Sequence, residues 1–306
     1  MINLFTGTIN IFTGTINLFT GTINIFTGRG SITMIPEITE AERKEQEFLS
    51  QYDPNEYERP SIASDVLVFS TEGSVLKLLL IKRNDYPFKG KWCLPGSFIG
   101  TDETAEEAAS RTLLKETGMT GIAMEQLYTF SKIDRDPRMR IISVSYIAMV
   151  PNRAMRFRKG IGDGEAVLFD VVRTGDGFEL LSDFEEPDFP EAESHGFRVS
   201  RSDIAFDHAE IIQTALDRMA GKIDYTDIGF HFLDDREAFT LTDLRLIYNA
   251  VKGVEHDIGN FRRFIKNRYI ITGKIINNRE DRKGFGRPAA TYRYTGVNRQ
   301  QPLSSD

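Results

Sequence analysis

The stretch that most constrains the fold is Leu94–Met119, LPGSFIGTDETAEEAASRTLLKETGM. It reads as the end of a strand, a Pro-Gly turn and a loop leading into a helix from about Thr104. Gly118 follows at the position after the helix where a positive φ is needed. Apolar residues recur at four-residue steps, at Ala105, Ala109 and Leu113. The stretch therefore predicts a loop followed by a helix. One face of that helix packs against the protein, and the other face contacts a polar partner.

The spacing within this stretch resembles the Nudix box, G-x5-E-x7-R-E-U-x-E-E-x-G-U, where U is aliphatic. The matching residues are Glu103, Arg111, Glu116, Gly118 and Met119. The resemblance implies a loop-helix-loop that, in hydrolytic members, collects Mg²⁺ on glutamates and cleaves diphosphates joined to a second group.

The departures from this box concern its metal chemistry. Ser97 stands at the opening glycine position, and Thr112 and Lys115 stand where the box has glutamates, which leaves Glu116 as one carboxylate on that helix face. Mg²⁺ needs several oxygen ligands in near-octahedral geometry. We therefore expect a retained scaffold with no catalytic residue, no metal and no cofactor. The alternative is an active hydrolase whose metal ligands have shifted to nearby acids, namely Asp102, Glu103, Glu106 or Glu107.

The charge of the chain is unevenly distributed. The 306 residues carry a net charge of −7, but residues 236–299 hold 14 Lys/Arg against 6 Asp/Glu, a balance of +8, and the remainder holds 24 against 39, a balance of −15. A basic segment on an acidic body indicates an attached nucleic-acid-binding module. Cys93 is the one cysteine, so an internal disulfide framework is excluded. No apolar run approaches the roughly 20 residues of a membrane span, and we expect a cytoplasmic protein.

The N-terminal leader, residues 1–34, opens with four near-copies of a seven-residue unit, INLFTGT, INIFTGT, INLFTGT and INIFTGR. Its Gly and Thr content argues against a coiled coil, and we expect it to be disordered or untranslated, with Met34 as the natural initiator. The rest divides into a helix and linker (35–58), a Nudix-like domain (59–224, with an insertion at about 151–200), a linker (225–235), a winged helix (236–299) and a tail (300–306).

Cations and aromatic residues flank the box, in IKRNDYPFKGKWCLPGSF before it and DPRMRIISVSYIAMV after it. Both segments resemble the matching pieces of Nudix proteins. Cations meet phosphates and a ring face stacks on a base, so this composition suits a nucleotide, although the rings also suit a core. The candidate ligand-binding residues are Arg83, Phe88, Lys89, Trp92, Thr112, Lys115, Glu116, Arg138 and Arg140. His208, on a predicted helix, is either a ligand or base or a structural histidine.

The basic segment has the element order of a winged helix-turn-helix. A helix is expected from Thr240 to Val251, ended by Gly253, then a helix after Asp257, and then strands at 270–276 and 290–294 joined by NNREDRKGFGRPA. A helix in the major groove reads base edges while cations fix the phosphates. The candidate DNA-binding residues are Asn260, Arg262, Arg263, Lys266, Arg282, Lys283 and Arg287.

Together, the altered box, FDHAEII, FTLTDLRLIYNAVKG, NFRRFI and GRPAATYRY resemble the Nudix-related transcriptional regulators. The resemblance implies an α+β chain: a Nudix-like α/β/α sandwich with a mixed sheet, followed by a winged helix. It implies a homodimeric repressor whose partners are a double-stranded DNA operator and a small-molecule effector, ADP-ribose, a related nucleotide or a sugar. An RNA- or protein-binding adaptor is the further alternative.

Overall fold

The computed structural model describes residues 38–155, 165–175, 177–182, 197–283 and 289–296, so the repetitive leader and the tail lie outside it. The chain divides into two units, Met1–Arg59 and Pro60–Asp306. The first unit contains α1 (Glu40–Gln51), which begins at the predicted capping box of Thr39 and Glu42. Within the described ranges, no helix is long and apolar enough to cross a membrane.

The second unit is built on a nine-stranded sheet of mixed direction. Its strands are β1 (Ser61–Glu72), β2 (Val75–Lys82), β3 (Trp92–Cys93), β4 (Gly96–Phe98), β5 (Ala123–Phe130), β6 (Ile141–Met149), β7 (Glu165–Thr174), β8 (Gly177–Ser182) and β9 (Phe197–Val199). The order is β5-β6-β1-β2-β7-β8-β9, with β3 beside β2 and β4 beside β1. β1 and β6 are parallel and the other pairs are antiparallel.

Helices cover both faces of this sheet because β1 is apolar on both sides. Val66 and Val68 pack with Ala109 and Leu113 of α2 (Ala105–Thr117) on one face. Leu67 and Phe69 point to the other face, into the core that contains the buried side of α3 (His208–Lys222). Successive residues of a strand point to opposite faces, so one strand anchors two helices. This confirms the expected α/β/α sandwich.

The region expected as an insertion completes the sheet. β7 pairs with β2 from Leu76↔Val171 to Lys82↔Glu165, and β8 and β9 continue outward. The sequence predicts one or two strands here; the structure has three. β9 has three residues, which is too short for a periodic signal. The acidic run DFEEPDFPEAE, residues 183–193, lies outside the described residues.

The C-terminal part has the topology of a winged helix. Its elements are β10 (Phe239–Thr240), α4 (Leu241–Lys252), α5 (Ile258–Ile265), β11 (Ile275–Lys283) and β12 (Ala289–Tyr294), and its sheet order is β10-β12-β11. α4 begins at a capping box and ends at Gly253 with φ 67°, as predicted. The strand expected from Ile270 begins later, because Lys266–Ile270 forms a π-helical turn that directs Tyr269 into the core.

The two halves of this unit share one core. α4 packs against β2 and α3. Residues 225–235, which the sequence predicts as a linker, contain a 3-10 helix whose Phe230 and Phe232 are buried. Arg173 of β7 donates hydrogen bonds to the carbonyls of Leu216 in α3 (2.7 Å) and Val251 in α4 (3.0 Å). One guanidinium therefore ties the sheet to both helices.

Candidate functional site

The loop before α2 is fixed by two residues of the sequence motif. Arg111 donates to both carboxylate oxygens of Glu103 at 2.6 and 3.0 Å, and also to the carbonyl of Phe98 at 3.1 Å. Arg111 and the Gly100 N–H together lower the pKa of Glu103 to about 2. Glu103 is thus a structural carboxylate that holds the loop against the helix.

The face of α2 on which the motif places metal ligands does not fit a magnesium ion. Thr112 is buried, and its hydroxyl lies 2.6 Å from the hydroxyl of Ser97. Lys115 Nζ lies 3.7 Å from Glu116 Oε1. A hard dication requires oxygen ligands, and an ammonium repels it. In the described part of the chain, no group of three or more His, Cys, Asp or Glu side chains is placed to hold a metal.

A cavity of about 290 Å³ opens beside this face. Strand residues of β1, β2 and β4, the loop after β2, the end of α2, the loop before β6 and the start of α3 line it. Its charged side chains are Lys82, Arg83, Lys115, Arg135 and Arg138, against Asp65, Asp85, Glu116 and Asp136.

A buried ion cluster forms one wall of the cavity. Arg135 donates two hydrogen bonds to Asp207, at 2.7 and 2.8 Å, and its guanidinium lies 3.5 Å from Asp65. Asp65 also accepts a 2.5 Å hydrogen bond from Ser143. Gly96 makes room for this carboxylate, since a Cβ there would lie 2.3 Å from Asp65 Oδ1. Charges removed from water in this way need mutual pairing, and here they have it.

His208, the first residue of α3, completes the cluster. Its Nδ1 accepts a 2.9 Å hydrogen bond from the Leu94 N–H, so the neutral ring carries its proton on Nε2, which lies 3.8 Å from Asp65 Oδ1. Burial lowers the pKa of His208 despite the nearby carboxylates. The ring is therefore a neutral, satisfied histidine at the cavity wall.

The mouth of the cavity combines guanidinium groups with an aromatic ring. The Arg83 guanidinium lies 4.9 Å and that of Arg138 5.8 Å from the ring centre of Phe206, which has a φ of 55°. Arg138 also donates to Asp136 at 2.8 and 3.0 Å. Burial alone would raise the pKa of Asp136, but these bonds outweigh it and lower the pKa. The mouth thus offers oriented N–H donors beside a planar apolar surface.

A second polar surface lies on α5, far along the chain. Asp257 caps this helix by accepting from the Asn260 N–H at 2.8 Å. Phe261 and Ile265 are buried, while the side chains that the sequence predicts to contact DNA are exposed; these are Asn260, Arg262, Arg263 and Lys266. The alternation follows the helical period, so one face packs and the other presents cations and an amide to solvent.

Comparison with known proteins identifies a domain family for each of the two parts of the chain that carry these surfaces. The model of the NUDIX domain family matches residues 59–163, and that of the NrtR DNA-binding winged helix domain matches residues 229–294. The chain joins a NUDIX domain to an NrtR-type winged helix. This confirms the resemblance and the fold class derived from the sequence.

Several relatives cover most of the chain. The ADPR responsive transcriptional repressor NtrR of Acinetobacter baylyi is 29% identical over 252 residues, covering 82% of this chain and 88% of its own. The crystal structure of Shewanella oneidensis NrtR complexed with a 27mer DNA is 25% identical with a TM-score of 0.57, covering 77% of this chain and 94% of that one. A MutT/nudix family protein from Enterococcus faecalis is 27% identical with a TM-score of 0.62, covering 84% and 98%.

The NUDIX cavity brings together four of the nine candidate ligand residues: Arg83, Lys115, Glu116 and Arg138. The other five do not line it. Phe88 packs on Phe206 (ring centres 4.8 Å apart), Trp92 packs on Phe169 (4.8 Å), and Thr112 is buried. Lys89 lies over the ring of Tyr86, and Arg140 donates to the carbonyls of Ser131 and Lys132.

Sequence reasoning missed the ion cluster of the cavity, Asp65, Arg135 and Asp207. These residues are 70 or more positions apart, and Arg135 stood in a charged loop that looked solvated. The available signal was Asp65, an acid directly before the apolar run Val66–Phe69 of β1. Of the predicted wing residues, Arg282 and Lys283 lie at the end of β11 but their side chains are outside the described part, as is Arg287.

Proposed function

We propose that this protein is a transcriptional repressor that binds operator DNA through its winged helix and releases it in response to a small effector bound in the NUDIX cavity. The exposed face of α5 carries the proposal, because its cations and amide project from a helix whose other face is buried. The similarity to an ADPR responsive repressor over 82% of the chain supports the same conclusion.

The effector is expected to be ADP-ribose or a related nucleotide, with a sugar as the remaining option. Arg83, Lys115 and Arg138 line the cavity, and guanidinium and ammonium groups are the usual partners of phosphate oxygens. The Phe206 ring beside two guanidinium groups gives a surface for a planar base. A free sugar has no charge to meet these cations, so the residues favour the nucleotide.

We further propose that the cavity binds this effector without hydrolysing it. Two of the four acids that could have replaced the lost metal ligands are committed elsewhere: Glu103 to Arg111 and Glu107 to the capping box of Thr104. Cleavage of the effector would end the signal. An intact effector keeps the protein in its DNA-free form for as long as the effector is present. Release of DNA requires only that the effector binds the DNA-free form more tightly.

On DNA, the protein should act as a homodimer in the cytoplasm. Two recognition helices reach half-sites about 34–36 Å apart when a two-fold axis relates them. An isologous dimer therefore predicts an operator that is a rough palindrome.

The decisive experiment is selection of binding sites from random duplex DNA with the purified chain. We expect enrichment of a two-fold symmetric site, and fluorescence anisotropy on that site should show its release by ADP-ribose but not by free pentose. Enrichment of no duplex, or preferential capture of RNA, would contradict the repressor function. Formation of AMP and ribose 5-phosphate from ADP-ribose with Mg²⁺ should stay at background, and turnover at enzyme-like rates would contradict the non-hydrolytic role.

A further inference from the structure

The helix face beside the cavity carries no net charge. Thr112 is uncharged, the +1 charge of Lys115 and the −1 charge of Glu116 cancel, and both of these charged residues line the cavity. A site for a dication needs the opposite: an excess of carboxylate oxygen. In this chain a side chain, Lys115, rather than a bound metal ion, supplies a positive charge on this face.

The remaining carboxylates of the cavity are not arranged to recruit a metal either. Asp65 is engaged by Ser143 at 2.5 Å and faces Arg135, and Asp136 is held by Arg138 at 2.8 Å. Removing either carboxylate from its cation would leave a buried or half-buried charge without compensation. Binding a metal at these oxygens would therefore require breaking the ion cluster that shapes the wall.

Two further cations, Arg83 and Lys115, line the cavity. Arg83 donates to the backbone carbonyls of Pro87 (2.8 Å) and Asp85 (3.5 Å), which carry no net charge, so it is able to bond a phosphate without leaving a buried carboxylate unpaired. The side chain of Lys115 is 51% exposed, and its Nζ lies 3.7 Å from Oε1 of Glu116, whose side chain is 9% exposed. Its ammonium therefore lies in the cavity at a position where the box has a glutamate.

We propose that this cavity binds a diphosphate-containing ligand without a divalent cation, and that the Lys115 ammonium supplies the positive charge that a metal would otherwise supply. This inference rests on the proposed function and makes it more specific. It implies that the response to the effector is independent of free Mg²⁺.

The test is calorimetric titration of ADP-ribose into the full-length chain, once in EDTA and once in millimolar Mg²⁺. For the unmodified chain we expect dissociation constants that agree within twofold. Lys115→Gln should weaken binding about three- to tenfold equally in both buffers. Lys115→Glu should weaken binding more than tenfold in EDTA, and Mg²⁺ should recover part of that loss, because the variant restores a carboxylate at the metal-ligand position.

The matched control is Lys132→Glu, which reverses the charge of an exposed lysine that does not line the cavity. It should change affinity less than twofold in either buffer. Thermal unfolding of each variant checks that it is folded. We expect the Lys115 variants to fold, because this side chain is half exposed.

Three results contradict the inference, and they are distinguishable. Binding by the unmodified chain that is tenfold weaker in EDTA than in Mg²⁺ would refute the metal-free site alone and leave the repressor proposal standing. Absence of ADP-ribose binding in both buffers would refute the effector assignment together with the inference. If Lys115→Glu bound ADP-ribose in EDTA with unchanged affinity, Lys115 would not contact the ligand.

Discussion

Arg135 and Arg138 of the NUDIX cavity and the exposed arginines of α5 differ in whether carboxylates bond them. Arg135 is 7% exposed and bonded to Asp207 at two points, and Arg138 is bonded to Asp136. Arg262 and Arg263 are exposed, and no ion pair within the described ranges includes either side chain. The cavity has a fixed charge geometry suited to one small ligand, whereas α5 has adjustable charges suited to a long polyanion.

The difference also predicts different responses to salt. Exposed charges are screened over a Debye length of about 8–10 Å at physiological ionic strength, and buried pairs are screened much less. DNA binding through α5 should therefore weaken steeply as salt rises, because neutralising phosphates releases counterions. The ion cluster of the cavity should persist at the same salt concentrations.

The largest effect is expected from removing the central cation of the buried cluster. Arg135→Met leaves Asp65 and Asp207 without compensation, so the free energy of unfolding should fall by about 3–5 kcal/mol. Urea denaturation measures it. The control Arg140→Met removes an exposed arginine that donates only to carbonyls in the described contacts, and should cost less than about 1 kcal/mol. Equal losses in both variants would show that the cluster does not stabilise the fold.

A second comparison uses the glycine caps of the two regions. Gly118 ends α2 with φ 71° and has open space around its Cα, whereas at Gly253, which ends α4 with φ 67°, a Cβ would lie 2.6 Å from Arg173 Cδ. Gly118→Ala should cost about 1–2 kcal/mol from backbone strain alone. Gly253→Ala should cost roughly 1 kcal/mol more, because Arg173 must give up a carbonyl contact. Identical unfolding midpoints would exclude that contact as a stabilising one.

On α5, Arg262→Ala should weaken operator binding by about 1–3 kcal/mol if a base contact is lost, without changing thermal stability. If Arg262 contacts a phosphate instead, the salt slope of the binding constant should fall by about one unit. Fluorescence anisotropy at several salt concentrations separates the two cases, with Lys132→Ala as the control cation outside the winged helix. An unchanged affinity and slope would place the DNA interface on another surface.

The smallest effect concerns pH. Burial lowers the pKa of His208 in the folded protein, so below the unfolded-state pKa of about 6.5 the unfolded chain binds a proton that the folded chain does not. Stability should be full above that pH and fall below it, by at most about 1.4 kcal/mol per pH unit for one histidine. His208→Asn should flatten the slope of unfolding free energy between pH 7 and 5.5. His231 and His256, whose pKa values are also lowered, should supply the residual slope.

The parts of the fold predicted from the sequence are those with local signals. The helix starts at Thr104 and Thr240 and the glycines that end α2 and α4 were predicted, because each depends on a pattern within one helix. β9 and the π-helical turn after α5 were not predictable in this way. Their form depends on a neighbouring strand and on the burial of Tyr269, whose hydroxyl donates to the carbonyl of Thr226.

The site was predictable to a lesser extent, for a similar reason. Arg83, Lys115 and Arg138 lie close to the motif in sequence, and the cavity includes them. Asp207 and Arg135 are 72 positions apart, and each has a plausible local role, one as a helix cap and the other as a loop cation. In the structure Asp207 makes no side-chain capping bond to α3 and bonds Arg135 instead. Such a choice depends on tertiary packing.

Helix α3 connects the cavity wall, where Asp207 bonds Arg135, to the winged helix. This 15-residue helix starts at the cavity wall and, at about 1.5 Å per residue, spans about 22 Å. About midway along it, the carbonyl of Leu216 shares the Arg173 guanidinium with the carbonyl of Val251 in α4 of the winged helix. An effector that shifted the start of α3 would therefore change, through Arg173, how α4 packs against the sheet.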